Sequence, residues 1–236
     1  MNCNEELEQT NIHVQYGLTT KIYHLKVAAL VDKYTKKGGN VLDIGAGAGN
    51  ILVNLHELRP DLVLASADAY QGSLDVTKVR VPLSNQWLLP EGEMNLSGIG
   101  EKFDTCVLSH VLEHVWNPVD AVNQAFGCLK DGGRLVLAVP NPVNPVNFIR
   151  TAIQHYSVNA GHCFHWDRGH WVNFLENIVK ANVLEYDHDE IFLFKRKTSH
   201  DSYLKKIEIA CSTIFPGLSF SHLAVIERPI IESKSI

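Results

Sequence analysis

The sequence has little that would staple the chain, anchor it or draw it to nucleic acid. Its five cysteines, Cys3, Cys106, Cys128, Cys163 and Cys211, are scattered, odd in number and free of any Cys-x-x-Cys pair. That pattern argues against a disulfide framework and a cysteine zinc site, and for a reducing compartment. No apolar run approaches the roughly 18 residues that cross a bilayer. The opening Met1-Asn2-Cys3-Asn4-Glu5-Glu6 lacks the basic start and apolar stretch of a secretory signal. The expectation is therefore a cytoplasmic chain without a membrane span. Positive charge is also in short supply, with 21 Lys and Arg against 26 Asp and Glu, a net charge of −5. Nucleic-acid binders carry a basic face, so none is expected as partner. The small basic clusters Lys36-Lys37, Lys195-Arg196-Lys197 and Lys205-Lys206 read as solvated surface. Repeats, low-complexity stretches and a linker that would separate a second domain are all missing.

What remains is a chain of 236 residues, 45% hydrophobic, enough for one α/β domain with a substantial core. Strand-like and helix-like patterns alternate, which implies βαβ units and a mainly parallel sheet. Residues 19–37 read as an amphipathic helix with Ile22, Leu25, Ala29, Leu30 and Val31 near one face, ended by Gly38-Gly39. Asn40 to Ile44 reads as a buried strand, Asn50 to Leu58 as a helix stopped by Pro60, and Leu62 to Ala67 as a second strand. Thr77–Val81 reads as a third strand and Phe103–Leu108 as a fourth. Asn117 and Pro118 suit the cap and first position of a helix, with Asp120 in its first turn and Asp131-Gly132-Gly133 as its stop. Arg134–Val139 follows as the fifth strand. Residues 169–181 read as a helix with Trp171, Phe174, Leu175, Ile178 and Val179 inward and Asn182 capping its end. Strands around Val183–Tyr186 and Ile191–Phe194, a helix around 201–213 and a last strand at Ser219–Ile226 complete the chain.

The strongest motif is Val41-Leu42-Asp43-Ile44-Gly45-Ala46-Gly47-Ala48-Gly49-Asn50. A strand enters a turn bare of side chains and a helix starts at once. Glycine permits positive φ and close approach of backbone to a ligand, and a helix start presents unpaired N–H groups to negative charge. The nicotinamide or flavin fingerprint is Gly-x-Gly-x-x-Gly. Here the glycines fall as Gly-x-Gly-x-Gly, Asn50 takes the sixth place, and Asp43 stands two residues ahead. Asp68, 25 residues after Asp43, ends the second strand, where a carboxylate can accept both ribose hydroxyl hydrogens.

Two further segments complete the pattern: Phe103-Asp104-Thr105-Cys106-Val107-Leu108-Ser109-His110-Val111-Leu112-Glu113-His114-Val115-Trp116-Asn117-Pro118, and Leu129-Lys130-Asp131-Gly132-Gly133-Arg134-Leu135-Val136-Leu137-Ala138-Val139-Pro140-Asn141. From about Lys21 to Asn141 the chain closely resembles the class I S-adenosylmethionine (SAM)-dependent methyltransferases of types 11 and 12, relatives of the ubiquinone-biosynthesis methyltransferases. The resemblance implies one Rossmann-like doubly wound domain over residues 1–236, its mainly parallel sheet of seven strands having the last antiparallel. Residues 1–38 would be an N-terminal helical segment, 39–141 the cofactor core and 142–236 the acceptor side. It implies SAM as cofactor, with Gly45 and Gly47 against its methionine moiety, Gly49 completing the loop, Asp43 orienting the loop and Asp68 on the ribose. The family often has Gly-Asp-Ala-x-x-Leu-Pro for adenine. Here Ser84-Asn85-Gln86-Trp87-Leu88-Leu89-Pro90 stands there, so Asn85 and Gln86 become the adenine candidates. Ser109 offers its carbonyl to the methionine ammonium, and His110 faces cofactor or acceptor. Glu113 and His114 read as structural hydrogen-bonding groups.

Methyl transfer from a sulfonium needs positioning above all, and a base where the acceptor is a hydroxyl or amine. The acceptor side holds His155, His162, His165, Trp166, Asp167, Arg168, His170 and Trp171. His165 or His170 is expected to line the acceptor pocket, one of them as base beside Asp167, against the plainer reading of a surface loop packed down by two tryptophans. No metal is expected, because His162-x-x-His165 with His170 matches no strong zinc spacing. The expected activity is methylation of a small-molecule acceptor, with oxygen favoured over nitrogen or carbon. A nicotinamide oxidoreductase is the rival enzyme; it leaves Asp43, Asn50 and the Gly132-Gly133 segment unexplained. A SAM-binding protein without turnover is the non-enzymatic rival.

Overall fold

The computed structural model describes residues 18–91, 94–153, 161–191 and 202–228. Its elements run α1 (Ile22–Tyr34), β1 (Asn40–Ile44), α2 (Asn50–Leu58), β2 (Val63–Asp68), α3 (Gln71–Arg80), β3 (Asn85–Leu88), β4 (Phe103–Ser109), α4 (Pro118–Gly127), β5 (Leu129–Pro140), α5 (Pro145–Ile153), α6 (Arg168–Asn173) with a π turn (Phe174–Ile178), β6 (Asn182–His188), α7 (Ser202–Ile214) and β7 (Ser221–Glu227). The seven strands form one sheet in the order β3-β2-β1-β4-β5-β7-β6. β1 to β5 pair in parallel, and β7 runs antiparallel to both β5 and β6.

Alternation along the strands explains the layers. Leu42, Ala65, Cys106, Leu108, Leu135, Leu137, Ala224 and Ile226 point to one face, where they meet Ala121, Val122, Ala125 and Phe126 of α4 and Trp171, Phe174 and Leu175. Their neighbours Val41, Leu64, Val107, Val136 and Val225 point to the other face, against Val27, Leu30 and Val31 of α1 and Ile51, Leu52 and Leu55 of α2. A sheet covered on both sides needs near-continuous apolar strands, as β1, β4 and β5 are. Each fully buried Leu or Val contributes about 1.5–3 kcal/mol relative to exposure.

Several elements fall where the sequence puts them. β1 and α2 match to the residue, and α4 has Asn117 as its cap, the side chain accepting from the Asp120 N–H at 3.1 Å. Others need correction. Residues 77–80 belong to helix α3, and the third strand is Asn85–Leu88. The β-branched run Thr77 to Val81 suggests a strand, yet only Leu74 and Thr77 of α3 are buried, a helical i, i+3 spacing, and Val79 is 88% exposed. In α1 the buried face is Tyr23, His24, Val27, Ala28, Leu30 and Val31; Leu25 and Ala29 lie outside. Asp131-Gly132-Gly133 does not stop α4, which ends at Gly127. It forms a bulge in β5, where the register jumps from Phe103↔Leu129 to Thr105↔Arg134 and Gly132 takes φ +70°. Likewise Asn182 opens β6, and the preceding helix ends through Lys180 in the left-handed region at φ +59°. Ile178 is exposed. The strand expected at Ile191–Phe194 lies outside the described residues beyond Ile191, as do Cys3, His155 and the Lys195–Lys197 cluster.

Candidate active site

Open α/β sheets bind ligands at the carboxyl ends of their strands, where the connections diverge to opposite sides. Here that crevice lies between β1 and its two neighbours, β2 and β4. The glycine loop leaves β1, Asp68 ends β2, and Ser109 and His110 end β4, so all of these share one edge. A cleft of about 230 Å³ opens there, lined by Lys21, Tyr23 and His24 from the start of α1, by Gly45 to Ala48 and Asn50, and by Ser109 and His110.

The loop is positioned from several sides. Gly45 donates to the Ala67 carbonyl at 2.7 Å, with φ +76°, and a Cβ there would collide with Val111 Cγ2. Gly47, at φ +54°, donates to Asp68 Oδ2 at 2.7 Å, and a Cβ on it would meet nothing within 4 Å. That bare surface is where a ligand can lie against backbone. Gly49 caps α2 in the left-handed conformation. Helix α3 clamps the loop from outside: Thr77 Oγ1 donates to the Gly47 carbonyl at 2.9 Å, and Arg80 bonds the Ala48 carbonyl and Asn50 Oδ1. Sequence reasoning missed Thr77 and Arg80 because it placed them on a strand. Their helical spacing of three was the available signal.

Beneath the loop the electrostatics are unusual. Asp43 is 1% exposed, and its Oδ2 has no hydrogen-bond partner among the described residues. Burial, and then the neighbouring Asp68, push its carboxyl up to about 7. Asp68 accepts from the N–H groups of Gly47 and Tyr70, at 2.7 and 2.9 Å. Burial raises its pKa and those two bonds oppose the rise. Ser109 Oγ is buried and likewise without a partner among the described residues. Lys21 stands at the rim, its ammonium pKa lowered by partial burial. His24 accepts the Lys21 backbone N–H on Nδ1 at 2.9 Å and is held neutral by burial, with a pKa of about 4.

His110 closes the far wall. It sits in the left-handed region at φ +56°, uncommon for a residue with a side chain. Its ring stacks on Tyr23 with centroids 4.0 Å apart, Nε2 lies 3.0 Å from Ser221 Oγ, and Nδ1 lies 3.5 Å from Glu113 Oε1. Burial holds its pKa well below the usual imidazole value. Glu113 is 1% exposed and burial pushes it up to about 8. His114 Nδ1 faces the Gly161 carbonyl at 3.2 Å, and its ring meets His162 edge-on. One atom from each of Glu113, His114 and His162 falls within 4.8 Å of the others, a grouping the sequence did not suggest.

Other expected site residues lie elsewhere. Asn85 and Gln86 open β3, and Asn85 is in register with Ala65, at the end of the sheet away from Asp68. Gln86 turns its amide onto Ser66 Oγ and the Leu74 carbonyl, and Asn85 donates to Glu101. The residue beside Asp68 is Leu88, which with Tyr70 is exposed at the cleft end of the sheet. His165 and His170 face outward because Trp166 and Trp171 take the inward positions of that segment. Asp167 does hold His170, Nδ1 to Oδ2 at 2.6 Å, but the pair is at the surface.

Comparison with known proteins settles the family. The profile described as "Methyltransferase domain" matches residues 18–178, more than half of the chain. The chain belongs to the SAM-dependent methyltransferases. The ubiquinone biosynthesis O-methyltransferase of Roseobacter denitrificans is 31% identical over 133 residues, covering 55% of this chain and 50% of that protein. Its counterpart in Dinoroseobacter shibae is 31% identical over 115 residues, covering 48% and 45%. The chain thus spans about half the length of the curated relatives it matches. Among solved structures, the plantazolicin methyltransferase in complex with SAH, the demethylated cofactor, aligns at TM-score 0.60 and 13% identity over 96% of this chain and 91% of that one. The magnesium protoporphyrin IX methyltransferase of Synechocystis, also with bound SAH, aligns at TM-score 0.57 and 10% identity over 87% and 83%. At such identities they establish the seven-stranded methyltransferase fold.

Proposed function

We propose that this protein transfers the methyl group of SAM to an oxygen of a small-molecule acceptor. One observation carries the reading: two desolvated carboxyls, Asp43 and Asp68, lie under a glycine loop whose Gly47 surface is open, beside a buried Ser109 hydroxyl with no partner among the described residues. A buried carboxyl oxygen without a partner is costly. A ligand bringing an ammonium and a sugar diol supplies what these groups lack. Gly45, Gly47 and Ser109 would hold the amino-acid moiety, Lys21 its carboxylate, and Asp68 the ribose. The exposed Tyr70 and Leu88 would cover the adenine in place of Asn85 and Gln86. When bound, SAM supplies a methyl group on positively charged sulfur, and the chain's own work is to align the acceptor with it and take its proton.

The nearness of His110 to that cleft makes it the proton acceptor on this reading, ahead of His165 and His170. The oxygen specificity rests on the ubiquinone biosynthesis O-methyltransferases, the curated relatives matched at 31% identity. The fitting test supplies radiolabelled SAM with paired acceptors, catechol against aniline. Label is expected on the catechol oxygen; label on the amine alone would overturn the oxygen assignment.

A further inference from the structure

A loop of the core and a segment of the acceptor side meet beside His110. The Glu113 carbonyl, just past β4, accepts the N–H of Cys163 at 2.6 Å and that of Phe164 at 3.3 Å. This pairing brings His162 against the same loop, its ring edge-on to that of His114 with centroids 4.6 Å apart. One carboxylate oxygen of Glu113 and one nitrogen from each of the two histidines lie within 4.8 Å of one another, the one such grouping among the described residues. Both side-chain oxygens of Glu113 are buried without a hydrogen-bond partner among the described residues, and His110 Nδ1 stands off at 3.5 Å. Buried polar groups are satisfied almost throughout folded proteins, so a desolvated carboxyl set beside two imidazoles calls for a positive partner.

We propose that Glu113, His114 and His162 hold a divalent transition ion of the zinc and cobalt class. The donor set selects the ion. Imidazole suits zinc and its transition-metal neighbours, whereas magnesium and calcium are held by oxygen. Around zinc the ligand atoms stand about 2.0–2.2 Å from the ion, and so about 3.4 Å from one another in a tetrahedron. The three donors close to that spacing by side-chain rotation. His114 Nδ1 lies 3.2 Å from the Gly161 carbonyl. A carbonyl only accepts, so the neutral ring donates from Nδ1 and keeps its lone pair on Nε2. Metal-holding histidines are oriented by such a second hydrogen bond. Glu113 is buried, His162 half-buried and His114 exposed, so an ion reaches the carboxylate from solvent past the histidines. Three protein ligands leave one position of a tetrahedral ion for water or a bound molecule. The set that the sequence suggested, His162, His165 and His170, is not the one the fold assembles. His170 is tied to Asp167 at the surface, and His165 meets only the ring of His162, with centroids 5.6 Å apart. The inference goes beyond the methyltransferase reading, and its test needs neither SAM nor an acceptor.

The test titrates the chelator-treated full chain with zinc chloride by calorimetry and with cobalt chloride by visible absorption. One zinc ion per chain is expected at this site, with cobalt giving the d–d bands of a site of low coordination number and an equal concentration of magnesium failing to displace either ion. Glu113→Gln and His162→Ala should each weaken zinc binding at least about tenfold, since even the groups that orient a metal ligand are worth about 10–100-fold in affinity. Circular dichroism shows whether each variant is folded, and His162→Ala, at a half-buried position, decides alone should Glu113→Gln not fold. Cys163→Ser and His170→Ala should bind as the wild type does. No zinc binding by the wild type overturns the proposal, as do unchanged zinc affinity in the folded variants, displacement by magnesium, and loss of binding in Cys163→Ser alone, which would mark zinc held by cysteine. Calorimetry with SAH on the same preparation reads the methyltransferase assignment separately, so either can fail without the other.

Discussion

A single buried carboxyl, Asp43, makes the stability of this protein depend on pH. Asp43 has its pKa raised from 3.8 to about 7, so the folded state holds that proton more tightly than the unfolded chain. Its contribution to stability is full below about pH 4 and is lost as pH rises through about 7. Above that, the ionised group is a net cost until a cation binds beside it. Asp43→Asn should therefore raise the melting temperature of the ligand-free protein at pH 8, by roughly 2–4 °C for each kcal/mol relieved. The gain should vanish at pH 4 and the affinity for SAH should drop. Differential scanning fluorimetry at the two pH values checks this, and an equal gain at both would contradict it. The placement of Asp43, Gly45, Gly47, Gly49 and Asp68 around one strand end was legible in the sequence because it depends on local spacing along a strand–loop–helix unit. Asp189 and Ser221 were not legible. Their contacts with each other and with His110 depend on where β6 and β7 end, and nothing in either residue's neighbours marks it.

Elements with strong periodicity or a capping residue read correctly, as β1, α2 and the start of α4 do. The errors arose where two forces compete. In α3 a β-branched run overrides a weak helical pattern only on paper, since packing of Leu74 and Thr77 decides the matter. Helix α5 lies where the sequence reading placed no element; its Val146, Ile149 and Ile153 fall at helical spacing, yet all three are exposed and the helix buries no residue. The segment around α6 teaches the same lesson at its tryptophans. Trp171 is 1% exposed and stacks on Phe174 with centroids 5.9 Å apart, whereas His170 is at the surface. Trp171→Ala should cost about 3–5 kcal/mol in chemical denaturation. His170→Ala should stay within about 0.5 kcal/mol and leave kcat unchanged. A large loss of rate with His170→Ala would restore that histidine to the site.

At the scale of the molecule, function follows from strand order. Placing β1 between β2 and β4 gathers the glycine loop, Asp68, Ser109 and His110 on one edge, and reversing β7 adds Ser221 and Asp189 to it. Alternating strands and helices foretold the parallel half of this sheet, and the resemblance to type 11 and 12 methyltransferases foretold the antiparallel strand. Among the described residues no helix is long and apolar enough to cross a membrane. On the proposed function, the acceptor is recognised at the edge where the strands end, close to the glycine loop. Isothermal calorimetry with SAH, on wild type and Asp68→Ala at high protein concentration, tests the central claim most directly. Saturable one-to-one binding is predicted for the wild type, weakened at least about tenfold in the variant, since a hydrogen bond to a charged group is worth about 1.5–3 kcal/mol. Absence of binding by the wild type, or identical affinities for the two proteins, would contradict it.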